Sequence, residues 1–178
     1  RSLYNTQHPI KTPGDVEGLK IRVMNNDLYV DMIAAMGGNA TPMSYGEVYQ
    51  SLTTGVLDGA ENNYPSFESS NHYEVTGYYS LTEHLIIPEC LCVAKSSWEE
   101  LSEEDQAIVR EVAEEASKRQ LWVESSEESR QIVLDHGVEI NEVDDKGAFQ
   151  TLMEPMYEEF IANNPGTGEL IEEIRATE

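Results

Sequence analysis

The sequence predicts an α/β unit built on a mostly parallel sheet. Short strand-length runs recur at LKIRVM, NATPM and VLDGAEN, and segments with helical spacing separate them. Strand, helix and strand in alternation is the pattern of parallel strands joined by crossover helices. At 178 residues, with 39% hydrophobic and 25% charged side chains, the composition is globular and apolar enough for a real core.

Residues 8–18, HPIKTPGDVEG, are rich in Pro and Gly and read as a connection. In LKIRVM, Leu19, Ile21 and Val23 alternate with Lys20 and Arg22, the period of a strand. Asn25 and Asn26 can cap a helix whose apolar positions are Leu28, Met32, Ala35 and Met36, and Gly37-Gly38 ends it. Ser44 with Glu47 matches a capping box, so a helix is expected from near Tyr45 to Gly55. A strand over Val56–Asn62 follows, then a short helix over Pro65–Tyr73 and a strand around Tyr78–Leu81.

LIIPECLCVA is the most apolar run and reads as a central or hinge-crossing strand despite Pro88. Cys90 and Cys92 would share one face of it, as two small core residues and not a disulfide or metal pair. Ser97 or Ser102 caps a helical stretch from about Glu103 to His136, with Ile108, Val109, Val112 and Ala116 in one apolar stripe. Some thirty helical residues would span ~45 Å, more than a small domain. VEINEV is a further strand, and helices are expected over 146–162 and 168–175.

The charge excludes several functions. With 34 acidic against 11 basic residues, the net charge is −23, which disfavours nucleic acid and anionic membrane as partners. Adaptation to high salt, which screens such self-repulsion, is one source of this balance. No run approaches the ~20 apolar residues of a membrane span, so direct membrane insertion is not expected. The four histidines, at positions 8, 72, 84 and 136, show no metal-ligand spacing, and no nucleophile elbow, phosphate loop or dinucleotide fingerprint occurs. Arg22 stands apart as a rare cation at a strand end, where α/β units gather ligands. Its guanidinium could clamp a carboxylate; taken by itself, its ordinary reading is a surface salt bridge. For Tyr73, Tyr78, Tyr79 and His84, packing is the ordinary reading over a pocket role.

Three blocks in order, GLKIRV, TPMSYGEVYQSLTTGVLDGAEN and YEVTGYYSLTEH, are followed by a helix opening on LSEEDQAIV. Together they resemble the solute receptors of tripartite ATP-independent periplasmic (TRAP) transporters. The resemblance covers almost the whole chain but only the later part of a family member. It implies a two-lobed fold of the periplasmic-binding-protein type II kind, with this chain holding the second lobe plus the long C-terminal helices. Residues 1–86 would be the ligand-binding lobe, and residues 87–178 a hinge-crossing strand, the long helix and the C-terminal helices. A first lobe and a signal peptide would precede Arg1.

Such receptors are periplasmic, close around a small organic acid and present it to TRAP permease membrane subunits. With no metal-ligand spacing, nucleophile elbow, phosphate loop or dinucleotide fingerprint in the sequence, no cofactor, metal site or catalytic group is expected. The resemblance implies that Arg22 pairs with the ligand carboxylate and that the Asn62 amide hydrogen-bonds the same group. Asn25 falls at a polar pocket position, Tyr45 where a ring packs on the ligand, and Arg1 resembles a second pocket arginine. Met24-Asn25-Asn26 stand where a proline is often found, and Ala60 replaces a more frequent glutamine. Neither change removes the arginine or the amide. Two other classes stay open: a ligand-binding sensor domain of a signalling protein, and an α/β enzyme acting on a carboxylic acid. A cytoplasmic signalling module in the full gene product would identify the first, and turnover of an organic acid the second.

Overall fold

The computed structural model describes residues 1–88, 90–118 and 121–177. Six strands form one sheet: β1 (Ser2–Asn5), β2 (Lys20–Val23), β3 (Asn39–Pro42), β4 (Gly59–Asn62), β5 (Tyr78–Leu81) and β6 (Glu139–Glu142). Their order is β3-β2-β4-β1-β5-β6. The pairs β2–β3, β2–β4 and β5–β6 are parallel, while β1 runs antiparallel to both β4 and β5. Five strands therefore point one way, as a mostly parallel sheet requires, and β1 alone is reversed. The reversal matters for function. It sets the start of β1 beside the carboxyl ends of its two neighbours, with Ser2 opposite Asn62.

Among the described residues eight α-helices accompany the strands: α1 (Asp27–Ala35), α2 (Val48–Thr53), α3 (Tyr64–Ser69), α4 (Lys95–Glu99), α5 (Glu103–Lys118), α6 (Leu121–His136), α7 (Lys146–Asn163) and α8 (Gly168–Arg175). The sheet separates two apolar clusters. One joins Leu3, Ile21 and Val23 to Ile33 of α1 and Phe149 of α7. The other joins Tyr4, Ala60 and Tyr79 to Phe67 of α3 and Val133 of α6. Leu3 and Tyr4 fall in different clusters because neighbouring strand residues face opposite sides. β6, α6 and α7 thus pack their strand and helices onto the sheet formed by the first eighty residues.

Local chemistry explains the ends of α1. Asn26 Oδ1 accepts the Leu28 N–H at 2.9 Å, a side-chain N-cap. Gly37, at φ +85°, supplies the left-handed residue that stops the helix. The Ser44–Glu47 expectation is only partly met. Ser44 makes no side-chain cap bond, the chain forms a 3₁₀ turn over Tyr45–Glu47, and α2 ends at Thr53.

Other expectations need correction. LIIPECLCVA forms no strand among the described residues, and Cys90 and Cys92 are both exposed. A strand needs a neighbour for its backbone groups, and no described segment pairs with this run; Pro88 also lacks an N–H to donate. The expected single helix from 103 to 136 is present as α5 and α6, and its continuity falls on residues 119–120, outside the described residues. Its stripe of Ile108, Val109 and Val112 is exposed. The strand expected from Val56 begins only at Gly59.

Gly59 shows how tightly the sheet centre is built. A Cβ there would overlap the Tyr4 carbonyl oxygen and lie 2.9 Å from Asn5 Cβ and 3.0 Å from Ile21 Cδ1. Backbone cannot yield as a flexible side chain can, so β1 would have to leave β4. Gly59→Ala is expected to destabilise the full-length protein by about 3 kcal/mol, read from a urea melt. An unchanged midpoint would refute this packing.

Candidate functional site

The carboxyl ends of β2, β3 and β4 lie at one edge of the sheet: Arg22 and Asn62 stand in the last residues of β2 and β4, and Tyr45 in the 3₁₀ turn after β3. The pleat places Arg22 opposite in sense to Ile21 and Val23, on the face that holds Tyr4 and Tyr79. Arg22 is only 4% exposed. Its Nε and Nη2 both donate to the Met43 carbonyl oxygen, at 2.9 and 2.7 Å. Its guanidinium carbon lies over the Tyr45 ring, 5.3 Å from the centroid. No described carboxylate forms an ion pair with it. The surface-salt-bridge reading therefore does not hold among the described residues. Burial pulls the Arg22 pKa down from its ordinary value, while nearby Tyr4 and Glu61 act against that pull.

Tyr45 ties the site together. Its hydroxyl donates to the Ser66 carbonyl oxygen at 2.9 Å and accepts from Asn62 Nδ2 at 3.1 Å and Ser70 Oγ at 2.9 Å. Asn62 is buried at the end of β4, where its Oδ1 accepts the Asn63 N–H at 3.0 Å. The Asn62 carbonyl oxygen accepts from the Tyr79 hydroxyl at 2.8 Å. Tyr79 is a core residue, stacked on Tyr64. Asn25 lies beyond β2, exposed, and is not a partner of these three residues.

Arg1 is engaged differently. Its fork grips the Glu61 carboxylate, Nε to Oε2 at 2.5 Å and Nη2 to Oε1 at 2.9 Å, on the face that holds Leu3. Burial lowers the Arg1 pKa, but the hydrogen bond and charge of Glu61 outweigh it and the net shift is upward. Glu61 is fully buried and is the residue that sequence reasoning missed. An acid between Ala60 and Asn62 in a central strand has to be paired, which is the signal that could have found it.

Two histidines complete the surroundings. His84 Nδ1 lies 2.8 Å from Thr82 Oγ1, while its Nε2 is buried without a hydrogen-bond partner. Burial first, then neighbouring positive charge including Arg1, pushes its pKa to about 3. The ring is neutral at pH 7, so its 3.9 Å approach to Glu61 is no ion pair. His72 Nδ1 lies 2.7 Å from Tyr4 Oη, and burial together with the Arg22 charge lowers its pKa to about 4. With both rings neutral and Arg1 paired with Glu61, Arg22 is left without a carboxylate partner among the described residues.

The lowered His72 pKa carries a pH dependence. Above the unfolded value of 6.5 the ring is neutral in both states and contributes nothing. As pH falls from there toward 4, the unfolded chain takes up a proton that native His72 refuses, and stability is lost. The loss should approach about 3 kcal/mol by pH 4. Urea melts of the full-length protein and its His72→Gln variant should differ progressively below pH 6.5; a pH-independent difference would contradict this.

Among the described residues no cluster of three or more His, Cys, Asp or Glu is placed to hold a metal ion. No described helix is long and apolar enough to cross a membrane. A cavity of about 460 Å³ lies by α1 and α7, lined by Met36, His84, Phe149 and Tyr157 among others, and excludes Arg22, Tyr45 and Asn62. At the sheet edge, a buried cation and an amide donor form a pair suited to holding an anion, and the Tyr45 hydroxyl holds that amide.

The fold is an α/β unit, one mostly parallel sheet with helices packed on both faces. The family of bacterial extracellular solute-binding proteins, family 7, matches residues 1–164, and the chain belongs to that family. A solute-binding protein of Chromohalobacter salexigens is 68% identical over 177 residues, covering 98% of this chain and 53% of that protein. A crystal structure of a TRAP periplasmic solute-binding protein from the same species, with bound D-glucuronate, gives a TM-score of 0.94 at 66% identity. The match covers 99% of this chain and 60% of that one. One from Sulfitobacter sp. with bound β-D-galacturonate gives 0.89 at 55% identity, over 96% of this chain and 57% of its own. This chain spans about half the length of the curated relatives it matches. These likenesses establish the fold class, a part of the two-lobed TRAP receptor fold.

Proposed function

We propose that this chain is the carboxylate-binding lobe of an extracytoplasmic receptor that captures a uronate-type organic acid and delivers it to TRAP permease membrane subunits. The observation that carries the reading is Arg22, buried at 4% exposure and unmatched by any described carboxylate. A ligand carboxylate would supply the missing anion, and Asn62 a further donor to it. Arg1 keeps its Nη1 group beyond the bonds to Glu61, and exposed Asn25 follows Arg22 toward the same edge. Residues 1–86 supply the lobe, and β6, α6 and α7 from residues 87–178 lend it a strand and two helices. The uronates bound by the two similar receptors support this class of ligand.

The reading places the protein in the periplasm and assigns it no reaction, since a guanidinium and an amide hold an anion without transferring anything. Thermal melts of the full-length protein with D-glucuronate, D-galacturonate, glucose and galactose test it. A ligand at a hundred times its Kd adds about 2.7 kcal/mol of stability. The two uronates should raise the midpoint and the neutral sugars should not; equal effects from all four, or none from any, would defeat the proposal.

A further inference from the structure

We infer that the Tyr45 hydroxyl is a positioning group that fixes the orientation of the Asn62 amide, so that Asn62 meets the ligand as a hydrogen-bond donor. The Asn63 backbone N–H can only donate, so the Asn62 atom it meets at 3.0 Å is Oδ1. Nδ2 therefore faces Tyr45 Oη, at 3.1 Å, and Tyr45 must accept that bond. The Tyr45 oxygen can accept because its own proton is donated to the Ser66 carbonyl oxygen, which can only accept, at 2.9 Å. Ser70 Oγ adds a second donor to the same oxygen, at 2.9 Å. Each partner's polarity forces the next. One N–H of the Asn62 amide is spent on Tyr45, and the second is its remaining donor.

A flipped amide would lose two bonds at once, setting Nδ2 against the Asn63 N–H and Oδ1 against an oxygen whose proton is already given to Ser66. Phenylalanine at position 45 would keep the ring under the Arg22 guanidinium, 5.3 Å from its centroid, and remove only this lock. The inference therefore assigns the hydroxyl a task separate from that of the ring. It rests on the carboxylate-binding reading above.

Its test is a double-mutant cycle in the full-length protein, with D-glucuronate and D-galacturonate titrated calorimetrically. Tyr45→Phe should weaken uronate binding about tenfold, the scale of one hydrogen bond to a charged group. Asn62→Ala should weaken it by a similar factor or more, and the double variant should match Asn62→Ala to within about twofold. A purely structural effect of the hydroxyl would instead multiply with the loss of Asn62. Wild-type affinity in Tyr45→Phe, or losses that multiply, would overturn the inference. Should Tyr45→Phe fail to fold, a neutron structure of the unmodified protein decides: deuterium on the Asn62 atom facing Tyr45 upholds it, and the opposite amide orientation overturns it. Multiplying losses, with Arg22→Ala abolishing binding, would defeat this inference alone. No uronate binding by the parent protein would defeat the functional reading with it.

Discussion

Replacing Arg22 by alanine in the full-length protein should weaken uronate binding roughly a hundredfold to a thousandfold. The reason is asymmetric desolvation. A carboxylate drawn from water into a closed site has to be paired and hydrogen-bonded, and removing the Arg22 guanidinium takes away the cation that pairs with it. Truncating one side of such a pair costs about 2–5 kcal/mol, against 1.4 kcal/mol for each tenfold in affinity. Arg22→Lys should recover only a small part of the loss. Lysine keeps the charge but has no Nε–Nη2 edge to chelate the Met43 carbonyl oxygen and no planar group to lie over Tyr45. Calorimetry with D-glucuronate and D-galacturonate reads both variants, and unchanged affinity in Arg22→Ala would refute the site assignment.

The second large effect concerns folding. Glu61→Ala should destabilise the full-length protein by about 3–5 kcal/mol, because it strands the Arg1 guanidinium against a fully buried position. The pair's worth and the cost of breaking it are different quantities. Replacing both partners together, as Arg1→Met with Glu61→Leu, removes the desolvation of two charges as well as their attraction, and should cost far less than Glu61→Ala alone. Urea denaturation of the two variants separates the cases. A loss under about 1 kcal/mol for Glu61→Ala would show that the pair does not hold the sheet edge.

Much of the sheet was legible because its period is local. Leu19, Ile21 and Val23 announce β2, and their alternation already sends Arg22 to the other face. The cap at Asn26 and the stop at Gly37 were equally plain. β1 was hidden for the opposite reason: all four residues of SLYN are buried, and a strand covered on both faces shows no alternation. LIIPECLCVA misled because apolarity reports a wish for burial, not a hydrogen-bonding neighbour. The exposed cysteines follow from that one error.

The candidate site was legible in part. Arg22, Tyr45 and Asn62 were each singled out, and the structure brings those three together. What no local pattern could give was the wiring between them. Arg1 meets Glu61 across sixty positions of sequence, and Tyr45 reaches Asn62 across seventeen. The first pair exists only once β1 has been reversed between β4 and β5, a topological fact without a sequence period.

A crystal structure of the full-length protein with D-glucuronate tests the central claim most directly. The account predicts both carboxylate oxygens within hydrogen-bond reach of the Arg22 guanidinium, with Asn62 Nδ2 donating to one of them. A carboxylate held elsewhere, with Arg22 facing no ligand atom, would contradict it.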